Sequence, residues 1–372
     1  MRRRIFAAGL LVAAVAAAVG EKKPKPVEQP PAHVGVVQRV FHPRAMRNWR
    51  GAEKQELRVT VWYPAPVSAV EVQQVIGPPD APLFEAGMAS PNAPMAPALR
   101  GVPLIVLSHG TGGSAMQMAW LGTALARAGF IVAAVDHPGN NATEAYTPEG
   151  FALWWERATD LSEVIDGMLA DENFGPKIDK NLIGAAGFSL GGYTVMELAG
   201  AQTDVSVLYD RCAKQPDQVV CRVPEMKNMG TTQQMLAQVR RTSGASLAAS
   251  ADSYKDARVH AVFAIAPALG FTMTQDSLRT IRQPVEIVVG GADPIAPAGE
   301  NASYIRANIR GARETVLPGG VAHYTFLDTC AAAGKKQLGV YCEDAASVDR
   351  DKVHEQVAAQ AVGFFEAALR WK

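Results

Sequence analysis

Ser189 stands in the stretch Gly184-Ala-Ala-Gly-Phe-Ser-Leu-Gly-Gly-Tyr193, with a glycine two residues away on either side. Where a strand turns abruptly into a helix, the corner residue is strained and side chains two positions away would collide, so only glycine fits there. Such a corner lifts a serine Oγ clear of the sheet as a nucleophile. Serine is a weak nucleophile at neutral pH. It needs a base to take its proton, a carboxylate to orient that base, and amide donors for the oxyanion that develops. In chain order the partners should follow as Asp or Glu and then His, each at the end of a strand. Asp293 follows the apolar run "VEIVVGG" in a Gly-Gly-Ala-Asp-Pro turn, and His323 lies in "PGGVAHYTF" after the last run of strand character. His109 and His137 precede Ser189 and do not fit this order. Asp328 and Glu300 are competing carboxylates, but neither is at a strand end.

Two amides complete the chemistry. One belongs to Leu190, directly after the nucleophile. The other is expected in the glycine-rich "SHGTGGS", from Thr111 or, as the alternative, Gly112. His109 would then brace that loop. Further candidates for the pocket are Gly112, His137, Trp154 and Tyr324. Asp136-His137-Pro138-Gly139 either lines the pocket or makes a turn. Trp154-Trp155, before a helix, either pack into the core or wall the substrate.

Positioning these groups requires a large sheet. From residue 101 onward, continuously apolar runs alternate with helical stretches. The strands are "VPLIVLSHG", "FIVAAVDHPG", "NLIGAAGF", "HAVFAIAP", "VEIVVGGADP" and "RETVLPGG". Helices are expected at 116–129, 155–171, after Ser189, near 275–282, at 297–309 and at 349–370. That rhythm specifies an α/β fold with a mostly parallel sheet and helices on both faces. Two earlier strands, Val34–Val40 and Leu57–Tyr63, precede a proline-rich stretch at 65–100 that reads as a surface excursion. No regular element is expected between His323 and about residue 349. Residues 202–257 interrupt the series after the Ser189 helix, as a cap over the site or a peripheral decoration.

The 372 residues have zero net charge, 48% hydrophobic and 19% charged content, an ordinary balance for a globular enzyme. Nothing points to nucleic acid as a partner. Arg2-Arg3-Arg4 ahead of an apolar run from Ile5 to Val19 reads as a secretory signal over 1–20, followed by a Pro/Lys-rich linker over 21–32 and a single domain over 33–372. The run is too short for a stable membrane span once the signal is removed. Periplasmic or secreted location follows, and an even count of four cysteines suits it. Four cysteines allow three pairings; the local ones, Cys212–Cys221 and Cys330–Cys342, are expected. No motif for a metal or a phosphate-bearing cofactor is present, so no cofactor is expected.

Together, "PLIVLSHGTGGS", "FIVAAVDHPGN", "GAAGFSLGGYT", "GGADPIAP" and "AHYTFLD" resemble the α/β-hydrolase superfamily. Within it the chain resembles predicted dienelactone hydrolases related to plasma-type platelet-activating factor acetylhydrolases. Dienelactone hydrolases proper carry a cysteine where this chain has Ser189. The resemblance covers about residues 35–370 and implies an eight-stranded sheet, a Ser189–His323–Asp293 triad and donors at Thr111 and Leu190. The expected activity is hydrolysis of carboxylic esters, from small molecules to lipids or polyesters, without cofactor. An amidase, peptidase or acyltransferase would use the same triad, and a non-catalytic binding protein could keep the fold.

Overall fold

The computed structural model describes residues 33–371. The expected signal and linker, 1–20 and 21–32, lie outside them. Eleven strands form one sheet: β1 (His33–Phe41), β2 (Leu57–Ala65), β3 (Val72–Ile76), β4 (Phe84–Pro91), β5 (Val102–Ser108), β6 (Ile131–Asp136), β7 (Ile178–Phe188), β8 (Val259–Ile265), β9 (Val285–Gly290), β10 (Arg313–Leu317) and β11 (Thr329–Cys330). Their order is β10-β9-β8-β7-β5-β6-β2-β1-β4-β11, with β3 paired to β4. The first eight in this order are the expected eight-stranded sheet. Strands β6, β5, β7, β8, β9 and β10 run parallel, whereas β2 is antiparallel to both β6 and β1.

Strand β5, "VPLIVLS", is buried at every position, as a strand covered on both faces must be. The helices are α1 (Ala119–Arg127), α2 (Pro148–Ala152), α3 (Arg157–Ala170), α4 (Leu190–Ala199), α5 (Val205–Lys214), α6 (Thr232–Thr242), α7 (Gly244–Ala248), α8 (Gln275–Thr280), α9 (Ala302–Asn308), α10 (Ala332–Gln337) and α11 (Arg350–Ala368). Alternation along β7 divides them. A Cβ on Gly184 would meet Phe365 of α11, while one on Gly187, three residues on, would meet α4. Helices α1 and α11 pack together on one face, and α3 packs with α4 on the other.

Two expectations fail. Residues 65–100 are not merely a surface excursion, because β3 and β4 lie there and extend the sheet beyond β1. The segment after His323 is not irregular either: β11 pairs antiparallel with β4, and α10 follows. Both disulfides join the local partners, Cys212 to Cys221 and Cys330 to Cys342. Among the described residues, no helix is long and apolar enough to cross a membrane, and no cluster of three or more His, Cys, Asp or Glu could hold a metal.

Candidate active site

The site sits at the carboxyl ends of β5, β7, β9 and β10. Ser189 occupies the corner between β7 and α4 with φ 55° and ψ −118°, a conformation that costs on the order of 1–3 kcal/mol for a residue with a Cβ. Its N–H donates to Ile265 O at 2.9 Å and its carbonyl accepts from Ala268 N at 3.1 Å, so β8 holds the corner from beneath. The flanking glycines are needed for the reason the sequence suggests. A Cβ on Gly187 would lie 2.2 Å from Gly191 O, and one on Gly191 would lie 2.0 Å from Ser108 O.

His323 opens a short 3-10 turn after β10, and Asp293 lies in the turn after β9. His323 Nε2 is 2.8 Å from Ser189 Oγ, and His323 Nδ1 is 2.6 Å from Asp293 Oδ2. The other oxygen, Oδ1, accepts from Ile295 N at 2.9 Å and Ala296 N at 2.8 Å, which fixes the carboxylate plane. With Nδ1 donating to the carboxylate, Nε2 is left to accept the serine proton. All three side chains are buried. Glu300 instead pairs with Arg211 at 3.0 Å, and Asp328 accepts from Trp120 N at 3.1 Å; neither reaches His323.

The "SHGTGGS" loop is gripped from the segment after β6. Gly112 N donates to Asn140 Oδ1 at 2.7 Å, and Gly112 O accepts from Tyr146 Oη at 2.7 Å. Ala142 N donates to Gly113 O at 2.7 Å, and Ala115 N donates to Asp136 Oδ1 at 2.7 Å. The Gly112 amide is therefore taken, which removes it as the alternative donor, although the residue still lines the pocket. Among the described residues, the N–H groups of Thr111 and Leu190 have no acceptor, and both residues line the cavity beside Ser189. His109 Nε2 accepts from His137 N at 3.2 Å while Nδ1 donates to Gly110 O at 2.6 Å, so this histidine braces the loop. Burial, with Arg157 and His137 nearby, keeps it well below the usual imidazole range and hence neutral.

His137 does not line the pocket. It is wholly buried, its Nδ1 2.6 Å from Asp160 Oδ2 and its Nε2 2.8 Å from Ser108 Oγ. Burial first and Arg157 second push it down to about 3. Asp160 would be raised by burial, but Arg50 and Arg47 outweigh that and hold it ionised.

Two chambers meet at Ser189. The smaller, about 80 Å³, lies beneath residues from α5, α6 and the turns between them, and Trp154 forms part of its wall as well as packing on Trp155. The larger, about 510 Å³, opens between Leu83, Tyr146 and Tyr341. Tyr324 borders both, its Oη donating to Glu225 Oε1 at 3.0 Å. Burial raises the Glu225 carboxyl. Asn140, Tyr146 and Glu225 hold the loop or line the site and were not singled out by the sequence. Asn140 had a weak signal in "DHPGNN", a polar run straight after a buried strand; Glu225 had none.

Residues 105–333 match the alpha/beta hydrolase family. The chain belongs to that family. Among solved structures this hydrolase is similar to a ferulic acid esterase from Streptomyces cinnamoneus, at 20% identity and a TM-score of 0.59, over 94% of this chain and 93% of the other. At that identity the likeness speaks to the fold. No curated protein matches the sequence.

Proposed function

We propose that this alpha/beta hydrolase is an exported serine esterase that cleaves carboxylic esters through an acyl-enzyme. The observation that carries the reading is the hydrogen-bonded chain from Asp293 through His323 to a strained Ser189, with two unpaired amides facing the same cavity. Ser189 Oγ attacks the acyl carbonyl while His323 Nε2 takes its proton, and Asp293 holds the resulting imidazolium. The Thr111 and Leu190 amides receive the oxyanion. His323 then protonates the leaving alcohol, and a water deprotonated by the same nitrogen releases the acid. No step requires a cofactor.

An apolar pocket suits esters of hydrophobic acids or alcohols. The finer resemblance, to dienelactone-hydrolase-like and platelet-activating-factor-acetylhydrolase-like serine esterases, rests on the five motifs quoted above. Export rests on the N-terminal signal pattern, supported by two formed disulfides. The segment 202–257 acts as the cap, because its side chains roof the smaller chamber.

The test is covalent. A fluorophosphonate should label the protein once, at Ser189, and Ser189→Ala should abolish labelling and remove roughly 10⁴–10⁶ of nitrophenyl-ester turnover. Labelling that survives the substitution refutes the assignment, and a labelled protein that turns over amides but no ester would make it an amidase.

A further inference from the structure

Resting on the esterase reading, we propose that the Glu225–Tyr324 hydrogen bond is a specificity device: it divides the site, so that the two halves of an ester occupy separate chambers and the half in the smaller one must be slender. Thr111, Ser189, Glu225, His323 and Tyr324 line both chambers, so they form the wall between them. Three of these five belong to the nucleophilic machinery. Glu225 and Tyr324 are the two that remain, and they join the cap to the residue next to His323.

The chambers differ in size. The smaller is lined mostly by apolar side chains such as Leu208, Met235, Leu269 and Phe271, with Thr232 and Asn301 among them. A methylene placed there gains about as much as any buried CH₂, and a volume of about 80 Å³ against about 510 Å³ in the larger chamber limits the size of the half it takes. The larger chamber, lined by Leu83, Gln117, Lys227 and Tyr341 among others, has room for the bulkier half. The wall is held at both ends. Tyr324 packs edge-on to His323 at 5.3 Å and to Tyr341 at 4.7 Å, while Glu225 follows the Cys212–Cys221 disulfide by four residues. Between them the single hydrogen bond of 3.0 Å keeps the turn Pro224–Met226 against the histidine loop. Without it the cap turn is free to part from Tyr324 and the two chambers merge.

The experiment compares two ester series, one lengthening and branching the acyl half over a fixed nitrophenol, the other enlarging the alcohol over a fixed acetate. Rates are read as kcat/KM ratios to the smallest member, so a general loss of turnover does not enter. The parent should tolerate bulk in one half and reject it in the other. Tyr324→Phe and Glu225→Ala should each raise the ratio for rejected esters by about tenfold or more, the size of discrimination a closed apolar pocket supplies. Glu225→Gln should keep the parent profile, since its carboxamide oxygen still accepts from Tyr324. Unchanged cut-offs in Tyr324→Phe and Glu225→Ala overturn the proposal, as does a Glu225→Gln protein that relaxes as far as the Glu225→Ala one. Should Tyr324→Phe misfold, the two Glu225 variants decide alone. A parent that binds fluorophosphonate but turns over no ester would remove the esterase reading before any variant is compared.

Discussion

Replacing Gly191 by alanine tests the physical reading of the nucleophile corner more sharply than replacing the nucleophile. The added Cβ would stand 2.0 Å from Ser108 O, 2.5 Å from Ser108 C and 2.8 Å from His109 O. All three are backbone atoms at the carboxyl end of β5, so no side-chain rotation relieves the overlap. Ordinary contact begins near 3.4 Å, so α4 and the β5 end must separate by about 1.4 Å. That displacement falls between Leu190 and the loop bearing Thr111, the two amides meant to share one oxyanion. A misplacement of about 1 Å costs on the order of 10²-fold in rate, and overpacking of this kind costs about 1–3 kcal/mol of stability or more. Nitrophenyl-acetate turnover and urea denaturation measure the two effects separately. Gly363→Ala is the control. It lies exposed within α11 with nothing within 4 Å of the added atom, and should stabilise by about 0.5–1 kcal/mol without changing turnover. A Gly191→Ala protein with turnover within threefold of the parent and an unmoved urea midpoint would refute the steric argument.

Asn140→Ala leaves the buried Gly112 N–H without its acceptor and loosens the loop that carries Thr111; kcat for nitrophenyl acetate should fall roughly 10- to 10²-fold with KM little changed, whereas a defect confined to KM would assign Asn140 to substrate binding. Glu197, buried on α4 against Tyr193 and Thr203, is raised by burial from 4.5 to about 8, so the folded chain holds this proton more tightly than the unfolded one. Its contribution to stability is whole below about pH 4.5 and is lost as pH rises through about 8, at up to about 1.4 kcal/mol per pH unit in between; Glu197→Gln should flatten that part of the urea-midpoint profile, and an unaltered slope would show that Glu197 is ionised in the folded state.

Strands β5 to β9 were legible because burial on both faces demands apolar runs, and such runs are visible in one dimension, whereas the edge strand β10, "RETVL", buries only Leu317 and was legible from its place in the alternation. Ser189, Asp293 and His323 were legible for a related reason: each lies in the connection that leaves the carboxyl end of a strand, β7, β9 and β10 in turn, so the sheet brings them to one edge. Strand β3, "VQQVI", lies at the sheet edge with three of five residues exposed and leaves no comparable pattern. Strand β11 has two residues and exists only because β4 is there to pair with. The partners of His137 lie 29 residues before it and 23 after it, at Ser108 and Asp160. Glu225 meets Tyr324 across 99 residues. Contacts of that range depend on the finished packing, and polar residues that make them look in sequence like turn or surface residues.

The described residues contain two serine–histidine–aspartate chains, and only one of them is arranged as the proposed reaction requires. Ser108–His137–Asp160 has the same atom order as Ser189–His323–Asp293 and the same separations, 2.8 Å and 2.6 Å. Distance therefore does not discriminate. Charge does, because a general base must be able to accept a proton, and Arg157 beside a fully buried His137 opposes any imidazolium there. Access does as well. Ser108 ends a regular strand with its Oγ enclosed and 3.3 Å from Arg157 Nη2, while Ser189 is turned out by a left-handed corner into the cavity. The buried chain ties β5 to β6 and α3, and Arg157 also donates to His109 O. It thereby anchors the root of the loop from which Thr111 projects. On the proposed esterase reading, this relay holds the scaffold in place so that Ser189, His323 and Asp293 can move a proton within a fixed geometry.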